Sequence, residues 1–196
     1  MNKKNITQFL QSVVALPLFA IAMPMTGVVA MPATPPAIIS ENSNVIVTPL
    51  LTPEEETIRS EHAKAIDDFL TARKSPLAGY GRKFVDEAAI NDIDWRLLVS
   101  ISGRETTYGR NMCKNPLAPN NAFGWHSCKK GFKSIDESIE VISKKLGGND
   151  SNLKHYKDDM TSEQILKKYN PDSIVLGYSK QVIRLMKLID DSEAIS

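Results

Sequence analysis

Glu105 is the residue whose type and position most invite chemistry. Leu98, Ile101 and Glu105 recur at helical spacing, so a helix through them carries an apolar stripe that ends in a carboxylate. A carboxyl carried partly out of water favours its protonated form, the state a general acid needs near neutral pH. A charge at a helix end that bends back to solvent or pairs with Arg104 or Arg110 is the competing reading, because structural ion pairs outnumber catalytic acids. The next stretch of chain is short of acids. Between Thr106 and Ile135 there is no Asp or Glu, while Arg110, Lys114, Lys129, Lys130 and Lys133 all fall there.

The helix that must position Glu105 is expected to start at Asp94 as N-cap and to stop at Gly109. Its end reads Glu105-Thr106-Thr107-Tyr108-Gly109, and Asn120-Asn121-Ala122-Phe123-Gly124-Trp125 comes after it. These motifs resemble the lysozyme-like superfamily that cuts bacterial cell-wall glycan, where lytic transglycosylases and glucosaminidases end the catalytic helix in Glu-Ser-x-x-Gly and continue with an Asn-x-aromatic-Gly segment. Thr106 stands where Ser is usual, a departure that keeps the hydroxyl. Tyr169-Asn170-Pro171 and Tyr178-Ser179-Lys180-Gln181-Val182 resemble the late Tyr-Asn and Tyr-x-x-x-Val elements, so the likeness spans roughly Pro76 to Ile189.

The resemblance implies a mainly α, lysozyme-like helical domain with a small irregular or β-hairpin lobe after the catalytic helix. It implies Glu105 and Tyr178 as catalytic residues, with Thr106, Asn121, Ala122, Phe123, Trp125 and Tyr169 binding substrate. Asn and Gly permit the bends of 119–125, and Gly124 lets a ligand approach the backbone. Phe123 and Trp125 are both able to stack on sugar faces; Phe123 is as readily core, which leaves Trp125 the better contact. Tyr178 and Tyr169 have the same double character, a ring for the core and a hydroxyl for the site.

Two-carboxylate glycosidases need an acid and a partner across the scissile bond. In lysozyme-like folds that partner usually comes from the lobe after the catalytic helix, which has none here; Asp136, Glu137 and Glu140 fall in the next helix as capping or surface charges. A single-acid lytic transglycosylase is therefore the expected activity, acting on the β-1,4 bond between N-acetylmuramic acid and N-acetylglucosamine. A hydrolytic glucosaminidase or muramidase of the same fold, and a non-catalytic wall-binding module, are the alternatives. The lysines of the lobe are either a solvated surface or an attraction for wall carboxylates that fades with salt.

Length and composition set only broad bounds. The 196 residues are 42% hydrophobic and 24% charged, with net charge +1, which suits one ordinary domain with some chain to spare. So small a net charge argues against nucleic acid as partner, since that mode needs many phosphate-neutralising cations. Peptidoglycan glycan strands are the expected partner, and a monomer the expected state.

Residues 1–30 read as a signal peptide or membrane anchor. Lys3 and Lys4 precede a mainly apolar run from Phe9 to Ala30, and Val28-Val29-Ala30 suits a signal peptidase. The run is also long enough to span a membrane, although Pro17, Pro24 and Gly27 weaken such a helix. Either way the domain is expected outside the cytoplasm, periplasmic or extracellular, with inner-membrane association if the segment is retained. Residues 31–53, with five prolines, read as a linker, and 54–196 as the catalytic domain.

In an exported chain, the only two cysteines, Cys113 and Cys128, suggest a disulfide. Zinc is the competitor, but two thiols and His126 make a poor tetrahedral set, so neither metal nor cofactor is expected. His126 reads as a surface residue beside the bridge rather than a base.

The remaining helices carry clear signals. Thr52-Pro53 followed by three glutamates opens the first, with Ile58, Ala65, Ile66, Phe69 and Leu70 as its apolar face and His62 in solvent. Ser75-Pro76-Leu77 restarts a helix whose buried side includes Phe84, Ala88 and Ala89. Ser134 to Glu137 forms a capping box for a helix ending at Gly147-Gly148, and Thr161 to Gln164 caps another that Pro171 ends. The last helix carries Val182, Ile183, Leu185, Met186 and Ile189, apolar enough to pack across the domain.

Overall fold

Seven helices and no strand make up the described residues of the computed structural model, which are 51–152 and 154–193. In order they are α1 (Pro53–Ala72), α2 (Gly81–Ile90), α3 (Leu97–Thr106), α4 (Trp125–Cys128), α5 (Ile135–Leu146), α6 (Ser162–Tyr169) and α7 (Tyr178–Glu193). The described residues are thus mainly α, and 107–134 is a run of turns around the short α4, with no hairpin in it. The leader-like residues 1–30 and the linker up to 50 lie outside the described residues. No described helix is long and apolar enough to cross a membrane.

The helix starts are built as the sequence suggests at two places and by half at a third. Thr52 accepts from the Glu55 N–H while Glu55 accepts from the Thr52 N–H, a complete capping box, and Thr161 with Gln164 repeats it for α6. At α5, Ser134 caps the Glu137 N–H, but the Glu137 carboxylate takes the N–H of Lys133 instead of that of Ser134.

α3 is the helix the others enclose. Leu97, Leu98, Val99, Ser100, Ile101, Ser102 and Thr106 are all buried, so it carries far more than a stripe, as a helix does in the middle of a core. α7 packs along it, α1 packs on α2 and α7, and α5 and α6 lie against α2 and α7 respectively. Ile66, Phe69, Leu70, Phe84, Ile139, Ile142, Val182 and Ile189 fill the space between them.

Several expectations are corrected. α3 starts at Leu97, three residues beyond Asp94, whose carboxylate accepts the Arg96 N–H and pairs with the Arg96 guanidinium. It ends at Thr106, before Gly109, because Thr107 and Tyr108 already take left-handed φ of 54° and 57°. The Tyr108 N–H then reaches Ser102 O at 3.0 Å, and its ring packs against Gly103 and edge-on to Phe69. Packing of that ring replaces the glycine a helix stop usually needs. Residues 75–80 are turns, not a restarted helix: Asp67 of α1 accepts from the N–H groups of Gly79 and Gly81 and so fixes the start of α2 at Gly81. Ile58 is 43% exposed and Ala89 is exposed. His62 is half-buried, with its ring stacked 4.1 Å from Trp95 and nearly parallel to it.

Candidate active site

Glu105 is the next-to-last residue of α3, so its carboxyl emerges where the enclosed helix gives out. It is half-buried, between Ser102 and Thr106 on the buried side and a groove on the other. Neither neighbouring arginine claims it. Arg104 donates to the Gln181 side chain, and Arg110 to the Thr107 carbonyl.

α7 supplies its partner. The Tyr178 hydroxyl donates to Glu105 Oε1 at 2.6 Å from a side chain that is 1% exposed. Burial, then the Glu105 charge and this hydrogen bond, push the Tyr178 hydroxyl far above the ordinary tyrosine range. It therefore stays a proton donor at neutral pH. Oε1 is occupied, and Oε2 accepts no hydrogen bond from the described residues.

Oε2 faces backbone. A Cβ built on Gly124 would stand 2.7 Å from it, and Gly124 has φ +61°. Both the space and the backbone call for glycine here. Asn121 puts Gly124 in place. Its Nδ2 donates to the carbonyls of Trp125 and Lys130, and its Oδ1 accepts from the N–H groups of Phe123 and Trp125. An amide has two donors and two acceptor sites of this kind, so the Asn121 side chain is fully used within the protein, and it is completely buried.

Thr106 and Ala122 close the seam. The Thr106 hydroxyl donates to Ala122 O at 2.6 Å and accepts from the Gly109 N–H. Phe123 is buried in the core, and its carbonyl accepts from the Tyr169 hydroxyl. So the structure gathers every residue the sequence named, in two roles. Thr106, Asn121, Ala122 and Phe123 hold the wall from inside; Glu105, Trp125 and Tyr169 line the groove, with Tyr178 behind the carboxyl.

The groove has a volume of about 460 Å³, within the usual range for a small-molecule site, roughly 300–1,000 Å³. Among the described residues Glu105 is the only carboxylate of the lining; the rest comes from 124–127, from His155 and Tyr156, and from Tyr169, Asn170 and Ile174. Tyr169 stacks parallel to Tyr178 at 6.1 Å and tilts towards Trp125 at 5.7 Å. Burial, followed by the Glu105 and Tyr156 charges, raises its hydroxyl well above the ordinary value. The Trp125 indole N–H is buried with no partner among the described residues, which leaves ring surface rather than the N–H for a ligand.

Trp125 belongs to α4, a single turn with an unusual backbone. His126, Ser127 and Cys128 take φ of 52°, 52° and 58°, and each non-glycine residue there costs about 1–2 kcal/mol. Cys128 is bonded to Cys113, with Cα atoms 5.4 Å apart. Both thiols are thereby spent, which removes the zinc alternative. Among the described residues no group of three or more His, Cys, Asp and Glu is placed to hold a metal.

Ser127, His155, Tyr156 and Ile174 escaped the sequence reading. Ser127 sits in the single turn of α4 and the others in turns, with no periodic signal; only Tyr156, the one Tyr, Phe or Trp in the mostly polar 149–159, stands out in retrospect. No family model, curated protein or solved structure matches the chain.

Proposed function

We propose that this groove cleaves the β-1,4 glycan of peptidoglycan by a lytic transglycosylase route, with Glu105 as both acid and base. The observation that carries the reading is a carboxylate with no second one among the described residues lining its aromatic groove, one oxygen held by a tyrosine and the other without a hydrogen bond from them. Two-carboxylate glycosidases place the pair roughly 5–10 Å apart, and among the described residues the lining offers no second member.

Chemistry with one carboxyl closes without water. Glu105, protonated on Oε2, gives its proton to the glycosidic oxygen as the bond from that oxygen to the anomeric carbon breaks. The carboxylate left behind is stabilised by the Tyr178 hydrogen bond, and it takes the proton of the same sugar's 6-hydroxyl. That oxygen bonds to the anomeric carbon, closing an anhydro ring and returning Glu105 to its starting state. Trp125 and Tyr169 offer ring faces to the sugars. The substrate lies outside the cytoplasm, in keeping with the leader-like residues 1–30.

The test is Glu105→Gln against purified peptidoglycan. Release of soluble fragments is expected to fall by about a thousandfold, within the span usual for a general acid–base group, while binding to the wall persists. Undiminished release would rule the mechanism out. A wild-type protein that sediments with the wall and leaves it intact would support a binding module instead.

A further inference from the structure

His126 stands in the groove on a backbone that few side chains adopt. Three consecutive left-handed residues, none of them glycine, persist only where the surroundings over-determine them, and such strain gathers at binding and catalytic sites. Here the run is tied at both ends. At its start the Asn121 amide grips the N–H and the carbonyl of Trp125. At its end Cys128 is bonded to Cys113, and the Asn115 Nδ2 donates to the Cys128 carbonyl at 3.0 Å. Neither cysteine belongs to the buried core.

These ties hold up an exposed imidazole in the groove that Glu105 shares. The ring meets Trp125 edge to face, and its nitrogens carry no hydrogen bond among the described residues. A neutral imidazole has one donor and one acceptor, which hydroxyl and acetamido groups of a sugar complement.

We infer that His126 is a substrate-binding residue of this groove and that the Cys113–Cys128 bridge is the latch that presents it. The inference rests on the glycan-cleaving reading above. Without the bridge the three residues are free to leave the left-handed region, and the imidazole leaves the groove with them.

Sedimentation with purified peptidoglycan tests this in a Glu105→Gln background, where no wall is consumed. His126→Ala is expected to weaken binding about fivefold, the loss of one good hydrogen bond, and His126→Gln to recover most of it. Cys113→Ser with Cys128→Ser should weaken binding by a similar factor, with circular dichroism showing the helices intact. Adding His126→Ala to that pair should then change nothing more, since both act through one contact. Unaltered binding by His126→Ala, or losses that multiply, would overturn the inference. Should the cysteine variant fail to fold, the Ala and Gln variants decide alone. If the Glu105→Gln parent itself does not bind the wall, the glycan reading fails and the inference with it; if the parent binds and His126→Ala matches it, only the inference fails.

Discussion

Glu105 and Tyr178 stand on α3 and α7, two helices packed along each other in the core, whereas Trp125 and His126 stand on a segment with almost no regular structure. The first pair is placed by burial: Leu98, Ile101, Val182 and Met186 fix the helices, and the carboxyl and hydroxyl meet as a consequence. The second is placed by individual bonds, among them four at Asn121, one each from Thr106 and Asn115, and one disulfide. A packed helix interface spreads its positional error over many contacts, while a wall tied by a few bonds moves when one of them is lost. On the proposed reading, the groove keeps its chemistry on the rigid side and its ligand contacts on the side that single substitutions can shift.

Gly124→Ala is the largest perturbation of that division, because it drives the wall away from the carboxyl. With a methyl group 2.7 Å from Oε2 either the carboxyl or the wall must shift, and the left-handed backbone adds about 1–2 kcal/mol of strain. We expect turnover to fall about a hundredfold, as misplacement by an ångström can do, with only a modest change in melting temperature. Unchanged turnover would mean that the wall does not sit against Glu105.

Tyr178→Phe acts on the rigid side and should be milder. It removes the hydroxyl from Oε1 and keeps the buried ring, so turnover should drop about tenfold, the low end for a hydrogen bond to a charged group worth roughly 1.5–3 kcal/mol. KM should hardly move. A rise in KM with unchanged turnover would place the hydroxyl on the substrate instead.

The smallest effect lies at alkaline pH. The hydroxyls of Tyr156, Tyr169 and Tyr178 are all raised, chiefly by burial. In the unfolded chain they ionise near the ordinary value of about 10, while in the folded protein they keep their protons. The folded state then holds more protons, so stability is unaffected at neutral pH and declines as pH climbs past about 10. Urea titrations on either side of that pH should show the decline, and Tyr156→Phe should make it shallower. A pH-independent midpoint would contradict the burial of these hydroxyls.

The same contrast explains what was legible in the sequence. Caps at Thr52 and Thr161, the apolar spacing of α5 and α7, and the carboxylate at the end of the Leu98–Ile101 stripe are local or periodic signals, and the structure carries them. Asp94, Gly109 and Ser75-Pro76-Leu77 offered equally good local signals, and tertiary partners overrode each: Arg96 took the carboxylate, Tyr108 turned the chain, and Asp67 set the start of α2. Asn121 and Thr106 are expected from the sequence to bind substrate, whereas in the structure their polar atoms are spent inside the wall. The left-handed run at His126 has no sequence signature at all, since nothing in His-Ser-Cys calls for it.

Digesting purified peptidoglycan and weighing the released fragments reads the fate of the 6-hydroxyl directly. Glycan ends one water lighter than the hydrolytic product are the predicted result. Fragments that carry the added water would contradict a cleavage run by Glu105 alone.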